Sequence, residues 1–224
     1  MMTDLWRVEL HCHTHFSPDS LTRPQAIVAA CRRRGIDRIA ITDHNTIAGA
    51  LAVQQLAPEL VIVGEEVMTL SGEIIAYFVS EEVPKGLPLT EAIAQLRAQN
   101  ALISIPHPLD ELRGGSALGL EATLAVIEQV DALEVFNARC LRAADNDAAR
   151  RLAETHGKLL TAGSDAHAAV EIGAAVVVMP PFQDVASFAA GLARGQIVAR
   201  RSPGWVRFHS LFARLARLLR RPPI

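Results

Sequence analysis

Aromatic residues make up only 4% of the 224-residue chain, and just two of its 22 basic residues, Lys85 and Lys158, are lysines. A packed core must therefore come from Ala, Leu, Val and Ile, which the composition allows, since half the residues are hydrophobic and 21% are charged. The three cysteines, Cys12, Cys31 and Cys140, are too few and odd in number for a disulfide framework. No apolar run reaches the roughly 18 to 20 residues of a membrane span, and the opening ten residues lack a basic stretch followed by a long apolar one. These shortages argue against disulfide-stapled and membrane-spanning classes, and they set the expectation of a cytoplasmic protein with no transmembrane segment. One shortage is local: no acidic residue follows Asp184, whereas Arg194, Arg200, Arg201, Arg207, Arg214, Arg217, Arg220 and Arg221 do.

What is present is a regular alternation of short apolar stretches with helix-like ones. Strands are expected at 6–10, 36–42, 60–67, 101–105, 132–136, 159–162 and 176–179, with a hairpin arm at 73–79 after the Ser71-Gly72 turn. Helices are expected at 24–34 with Thr22 as N-cap, and at 47–56, 89–99, 121–129, 145–156 and 184–194. Gly114, Gly115 and Gly119 mark a mobile loop over 109–120. About seven strands alternating with helices imply mostly parallel pairing in a barrel or strongly curved sheet. A single barrel domain over 1–204 is expected, with an extension over 205–224.

The polar residues gather where the strands end. His11-Cys-His13 follows the first strand, and alternate residues of an extended chain point the same way, so two imidazoles can share one ion. His-x-His alone is weak evidence. Asp43-His44-Asn45 ends the second strand, however, Gly64-Glu65-Glu66 the third, Pro106-His107-Pro108 a later one and Ser164-Asp165-Ala166-His167 another. In a parallel β/α barrel these ends lie on one face around one depression. Imidazoles with carboxylates suit Zn, Mn or Fe, and a carboxylate can bridge two ions. Alternate placement turns Glu65 away from Glu66 and makes Cys12 a core residue, while Asp43 either orients a ligand or caps the next turn.

The segments LHCHTHFSPDS, ITDHNT, VGEEV, IPHP, LEVFNARC and AGSDAH, in this order over residues 5–182, resemble the polymerase and histidinol phosphatase family, the PHP domains. That resemblance implies an α/β fold, a distorted TIM-like (β/α)7 barrel, with two or three divalent ions at the C-terminal strand ends. It implies that His11, His13, Glu66 and Asp165 hold one ion, that Glu66 bridges to a second held by His107 and completed by Cys140, and that Asp19, His44 and His167 hold a third. Asp19 is preferred over His15 because the family places a His or Asp there.

Clustered ions of this kind activate water for phosphoester hydrolysis, so the catalytic set is His11, His13, Glu66, His107, Asp165 and His167. Phosphate oxygens need further partners, for which Arg139, Arg113 and Asn137 are best placed. The substrate expected is a nucleotide, a nucleoside bisphosphate or an oligonucleotide 5′ end. The alternatives are a small phosphomonoester of the histidinol-phosphate type, a non-catalytic metal-binding regulatory module and, further off, a hydrolase of C–N bonds. From Trp205 on, Trp205, Phe208, Leu211, Phe212, Leu215, Leu218 and Leu219 recur at helical spacing with arginines between them. The plain reading packs that apolar face on the barrel and leaves the arginines solvated; contact with nucleic acid or an anionic membrane surface are the alternatives.

Overall fold

Nine short strands carry the apolar residues in a computed structural model that describes residues 5–220. They are β1 (Trp6–Glu9), β2 (Arg38–Ile41), β3 (Val61–Thr69), β4 (Gly72–Tyr77), β5 (Leu102–Ile105), β6 (Ala132–Asn137), β7 (Leu159–Gly163), β8 (Ala175–Met179) and β9 (Gln196–Ala199). The helices are α1 (Pro24–Arg34), α2 (Ala48–Gln54), α3 (Leu89–Ala98), α4 (Gly119–Val126), α5 (Ala143–Thr155), α6 (Val185–Leu192) and α7 (Arg207–Arg220). The sheet order is β7-β6-β5-β4-β3-β2-β1-β8-β9. β1, β2 and β3 are parallel neighbours, as are β5, β6 and β7, while β4 runs antiparallel between β3 and β5. Just past β1 and β7 the chain makes one further parallel bridge, Cys12 to Ala166, which brings the two ends of this seven-strand run together as a nearly closed barrel.

The barrel-like α/β fold is as expected, but the strict (β/α)7 count is not what the chain builds. β4 is a hairpin return with no helix before it, because the Ser71-Gly72 turn is too short for a crossover. β8 and β9 lie outside the run as an antiparallel pair on β1. β9, whose residues are largely exposed, carries no alternation that sequence reading could detect.

Alternate residues of the seven-strand run fill one apolar cluster: Val8, Ala40, Ile62, Ile75, Tyr77, Leu102, Ala132 and Ala162. The residues on the other face meet helices. Ile39 and Ile41 pack with Ile27, Val28 and Cys31 of α1, and Ile103 and Ile105 pack with Ile93 and Leu96 of α3. Cys12 belongs to this outer layer, as its alternation required. Helix α1 begins at Pro24, but its N-cap is Arg23 and no side chain caps it; the hydroxyl of Thr22 instead donates to the carbonyl of His167 (2.9 Å). The glycine-bearing segment after β5 forms a 3₁₀ turn over Glu111–Ser116, with Gly114 at φ 63°, which sends Arg113 inward.

Helix α7 is the largest departure from expectation. Its apolar side chains are turned outward: Phe208 is 69% exposed, Phe212 64% and Leu219 86%. Its arginines grip the barrel, Arg207 through the Arg139 carbonyl (2.6 Å), Arg214 through Asp19 (2.8 Å) and Arg217 through the carbonyls of His15 and Ser20. Arg221 lies outside the described residues.

Candidate metal centre

The site starts from the bridge that closes the barrel. His13 N–H donates to the Ala166 carbonyl (2.9 Å), which fixes the His-x-His segment beside the Gly163–His167 segment. The approach is so close that a Cβ on Gly163 would sit 2.2 Å from the Cβ of His11, so only glycine fits there. Asn45 N–H donates to the Glu66 carbonyl (2.9 Å) and Glu66 N–H to the Asp43 carbonyl (3.1 Å), which ties the ends of β2 and β3 in the same way. His107 (φ 30°) and Asp165 (φ 53°) adopt left-handed backbone, a strained choice for residues with side chains.

Glu66 stands at the centre. Its Oε1 lies 3.3 Å from His11 Nε2 and 3.3 Å from His107 Nε2, and its Oε2 lies 3.4 Å from His13 Nε2 and 3.0 Å from His44 Nδ1. Asp165 Oδ1 is 3.4 Å from His13 Nε2, 3.7 Å from His11 Nε2 and 3.4 Å from His167 Nδ1. Asp19 faces His167 Nε2 at 3.3 Å and His44 Nε2 at 3.6 Å. Four overlapping groups could each hold a cation: His11/His13/Glu66, His11/His107/Asp165, His13/His44/His167 and His44/Glu66/Glu73. The fold therefore brings together every expected ligand except Cys140, with Asp19 touching the third group through its two histidines.

This arrangement fits divalent ions. Ring nitrogens crowd one another, His11 Nε2 against His13 Nε2 at 3.2 Å, and the buried Nδ1 of His107 has no hydrogen-bond partner. Burial and the neighbouring imidazoles of His167 and His44 push His13 down to about 4, so it is a neutral ligand-ready base near pH 7. Burial likewise works against a charge on His11, but Glu134, Glu66 and Asp165 outweigh it and hold its pKa well above the ordinary value. Burial alone would raise Asp165; Arg113 and His11 instead hold it well below the carboxylate range. The crowd of bases and carboxylates is what a shared cation would resolve.

Several supporting groups surround the ligands, and of these Glu134, Glu9 and Glu73 escaped the sequence reading. Glu134 accepts from or pairs with His11 Nδ1 (3.0 Å) and takes the His107 N–H (2.8 Å), orienting both rings. A bulge between Glu134 and Phe136 puts Asn137 on the same side, where its Nδ2 donates to Glu134 (2.9 Å) and Asp165 (3.3 Å). Glu9 is fully buried at about pKa 7 because burial outweighs its hydrogen bonds, and it takes the N–H groups of Ser164 (2.8 Å) and Gly173 (2.9 Å). Asp43 takes the Ser17 hydroxyl (2.6 Å), whose oxygen lies 3.1 Å from His13 Nδ1; it orients a ligand and caps no helix. Glu73 faces His44 (3.4 Å) and His107 (3.7 Å) from β4. Only inward alternation on β6 and β4 could have pointed to Glu134 and Glu73.

The remaining candidates are placed differently. Cys140 is buried, its thiol pKa raised by desolvation and tempered by Arg113, and it joins none of the four groups. Its N–H donates to the Asn137 carbonyl (3.2 Å) in a tight turn after β6. Arg113 pairs with Asp165 (2.7 Å) and Asp110 (3.0 Å). Arg139 makes a two-pronged pair with Glu171 (2.7 and 3.1 Å) and donates to Ser210 of α7 (2.9 Å). A depression of about 500 Å³ opens over Asp19, His44, Glu66, Asp165 and His167, and four cations, Lys85, Arg113, Arg139 and Arg214, stand on its walls.

A nearly closed β/α barrel with buried histidines and carboxylates at one rim is the layout of a metal-binding barrel protein. The chain belongs to the PHP domain family, whose model matches residues 9–104, and a PHP-associated model matches residues 143–197. It is 36% identical over 148 residues to an uncharacterized protein of Methanocaldococcus jannaschii, covering 59% of this chain and 82% of that one. Among solved structures it resembles a two-domain protein containing a predicted PHP-like metal-dependent phosphoesterase from Bacteroides vulgatus, with a TM-score of 0.72 at 18% identity over 88% of this chain and 66% of that one. It also resembles a lesion-specific endonuclease from Pyrococcus furiosus, with a TM-score of 0.55 at 16% identity over 81% of this chain and 53% of that one. No described helix is long and apolar enough to cross a membrane.

Proposed function

We propose that this protein is a metal-dependent phosphoester hydrolase that uses metal-activated water on a nucleotide, a nucleoside bisphosphate or an oligonucleotide 5′ end. The observation that carries this reading is the pairing of a buried ligand cluster with a wall of cations around one depression. Histidine and carboxylate donors on its floor suit divalent ions, and arginines above them suit phosphate oxygens. Bound there, divalent ions would lower the pKa of water towards neutrality, hold the phosphoryl group and offset charge as the ester breaks.

In this reading His11, His13, Glu66 and Asp165 share one ion, Glu66 and His107 a second, and Asp19, His44 and His167 a third. Glu73, which faces His44 and His107, takes the completing role that the family resemblance suggested for Cys140. Glu134 holds the rings of His11 and His107 in place, and Asn137 steadies Glu134 and Asp165. Lys85 contacts substrate; Arg113 and Arg139, already paired with Asp165 and Glu171, contribute through the positive potential of the wall.

The test measures metal content alongside hydrolysis of a phosphomonoester, a phosphodiester and a nucleoside 3′,5′-bisphosphate. Two or three ions per chain, with turnover lost in His11→Ala and Asp165→Ala, are expected. A wild-type protein that binds no divalent ion overturns the site assignment, and one that binds ions but cleaves none of the three esters overturns the substrate assignment.

A further inference from the structure

We infer that α7 is an interfacial helix that docks this protein on an anionic lipid surface. A surface helix of a globular domain turns its apolar stripe to the core. Helix α7 does the reverse: Phe208, Leu211, Phe212, Leu215, Leu218 and Leu219 recur at steps of three and four and all are about half exposed or more, while Ala213 on the opposite side is 1% exposed. The orientation is fixed by specific contacts. Arg207 reaches the Arg139 carbonyl, Ser210 accepts from Arg139 (2.9 Å) and Arg214 pairs with Asp19 (2.8 Å). The polar side is therefore spent on the barrel, and the apolar side is left to meet something else.

Charge complementarity selects the occupant. From residue 185 onward the chain carries arginines and no acidic residue. Arg200 and Arg201 are exposed just before the helix, and Arg214 keeps 64% of its side chain exposed along the edge of the apolar face. An apolar stripe of Phe, Leu and Trp bordered by arginines is the pattern that sinks into the boundary between headgroups and acyl chains of anionic lipids. At 14 residues the helix is too short to span the bilayer, so it lies on the surface. Nucleic acid fits less well, because it would meet the exposed arginines but offers no apolar phase for the outward Phe and Leu side chains.

The test is flotation of the full-length protein with vesicles of phosphatidylcholine alone and of phosphatidylcholine with phosphatidylglycerol. The variant is Phe208→Ser/Leu215→Ser/Leu219→Ser, whose side chains are already solvent-exposed, so its thermal midpoint should match wild type. Flotation with the anionic vesicles only, falling about 100-fold in partition coefficient in the variant, is the expected result. Wild type that floats with neither vesicle, or equally with both, overturns the proposal. So does a dimer in sedimentation velocity that the triple substitution dissociates, which would give the face to a second copy. Binding to an oligonucleotide without vesicle binding would give it to nucleic acid and equally overturn the proposal.

Discussion

Asp131 and Glu66 are both carboxylates near strand ends, yet their surroundings answer their charge in different ways. Asp131 is met by Arg97 at 2.6 and 2.9 Å and takes the Ile103 N–H at 2.8 Å, so its charge is answered within the chain. Glu66 is 1% exposed and crowded by four imidazoles, among which two nitrogens face each other at 3.2 Å. The scaffold completes its own hydrogen bonds, whereas the rim is an arrangement that a cation completes. Substitutions at the rim should therefore act on activity and metal far more than on the fold, and substitutions in the scaffold the other way round.

The sharpest break is Gly163→Ala. The new Cβ would collide with the Cβ of His11 at 2.2 Å and with Glu134 at 2.7 Å, so His11 must move. A loss of at least about 100-fold in kcat/KM is expected, because a shift of about 1 Å in a positioned group costs that much. Normal turnover in this variant would show that His11 is free to sit elsewhere.

Glu134→Gln should come next. It removes the charge that polarises the ring and leaves a single acceptor oxygen where Oε1 faced His11 Nδ1 and Oε2 took the His107 N–H. Metal affinity should fall about 10- to 100-fold, read by competition with a chelating dye. Unchanged affinity would reduce Glu134 to a packing residue.

Stripping the metal with a chelator tests the comparison from the other side. If ions bind only the folded rim, saturation at about 100 times Kd adds about 2.7 kcal/mol, so chelation should lower Tm by about 5–10 °C in a chain of this size. The stripped protein should still unfold cooperatively, since its three apolar clusters contain no rim ligand. Loss of cooperative unfolding would mean that the ions hold the fold together.

How much of this was legible in the sequence follows from the same division. The strands that carry the rim were found because their apolar runs end in His, Asp or Glu, and helix α1 spans Pro24–Arg34 as expected, with Gly35 in left-handed backbone closing it. Eight of the nine proposed ligands meet in one rim cluster, seven of them because each stands just beyond or late in a strand, where periodicity is still readable, whereas Asp19 came from the family resemblance. Glu134, Glu73 and Glu9 were missed because a single acid inside an apolar strand has no local signature; its partner is set by barrel closure, 123 residues away for Glu134 and His11. Cys140 joins none of the four ligand groups, and a turn following a bulged strand cannot be aimed from sequence. The orientation of α7 was misread because the pattern gives a helix its two faces and leaves open which one meets the barrel.

The smallest effect belongs to the scaffold, at the start of α6. Asp184 accepts from the Ser187 N–H at 2.7 Å, and the Ser187 hydroxyl oxygen receives the Asp184 N–H at 3.1 Å, a reciprocal cap at an exposed helix end. Replacing such a cap with alanine costs about 1 kcal/mol, or about 2–4 °C in Tm for a protein of this length. Asp184 lines neither the depression nor any ligand group, so Asp184→Ala should lower the thermal midpoint by that amount while metal content and kcat/KM stay at wild-type values. A fall in metal content at this position would mean that the rim and the outer helices are coupled, and the division between a self-satisfied scaffold and a cation-completed rim would fail where it is most easily checked.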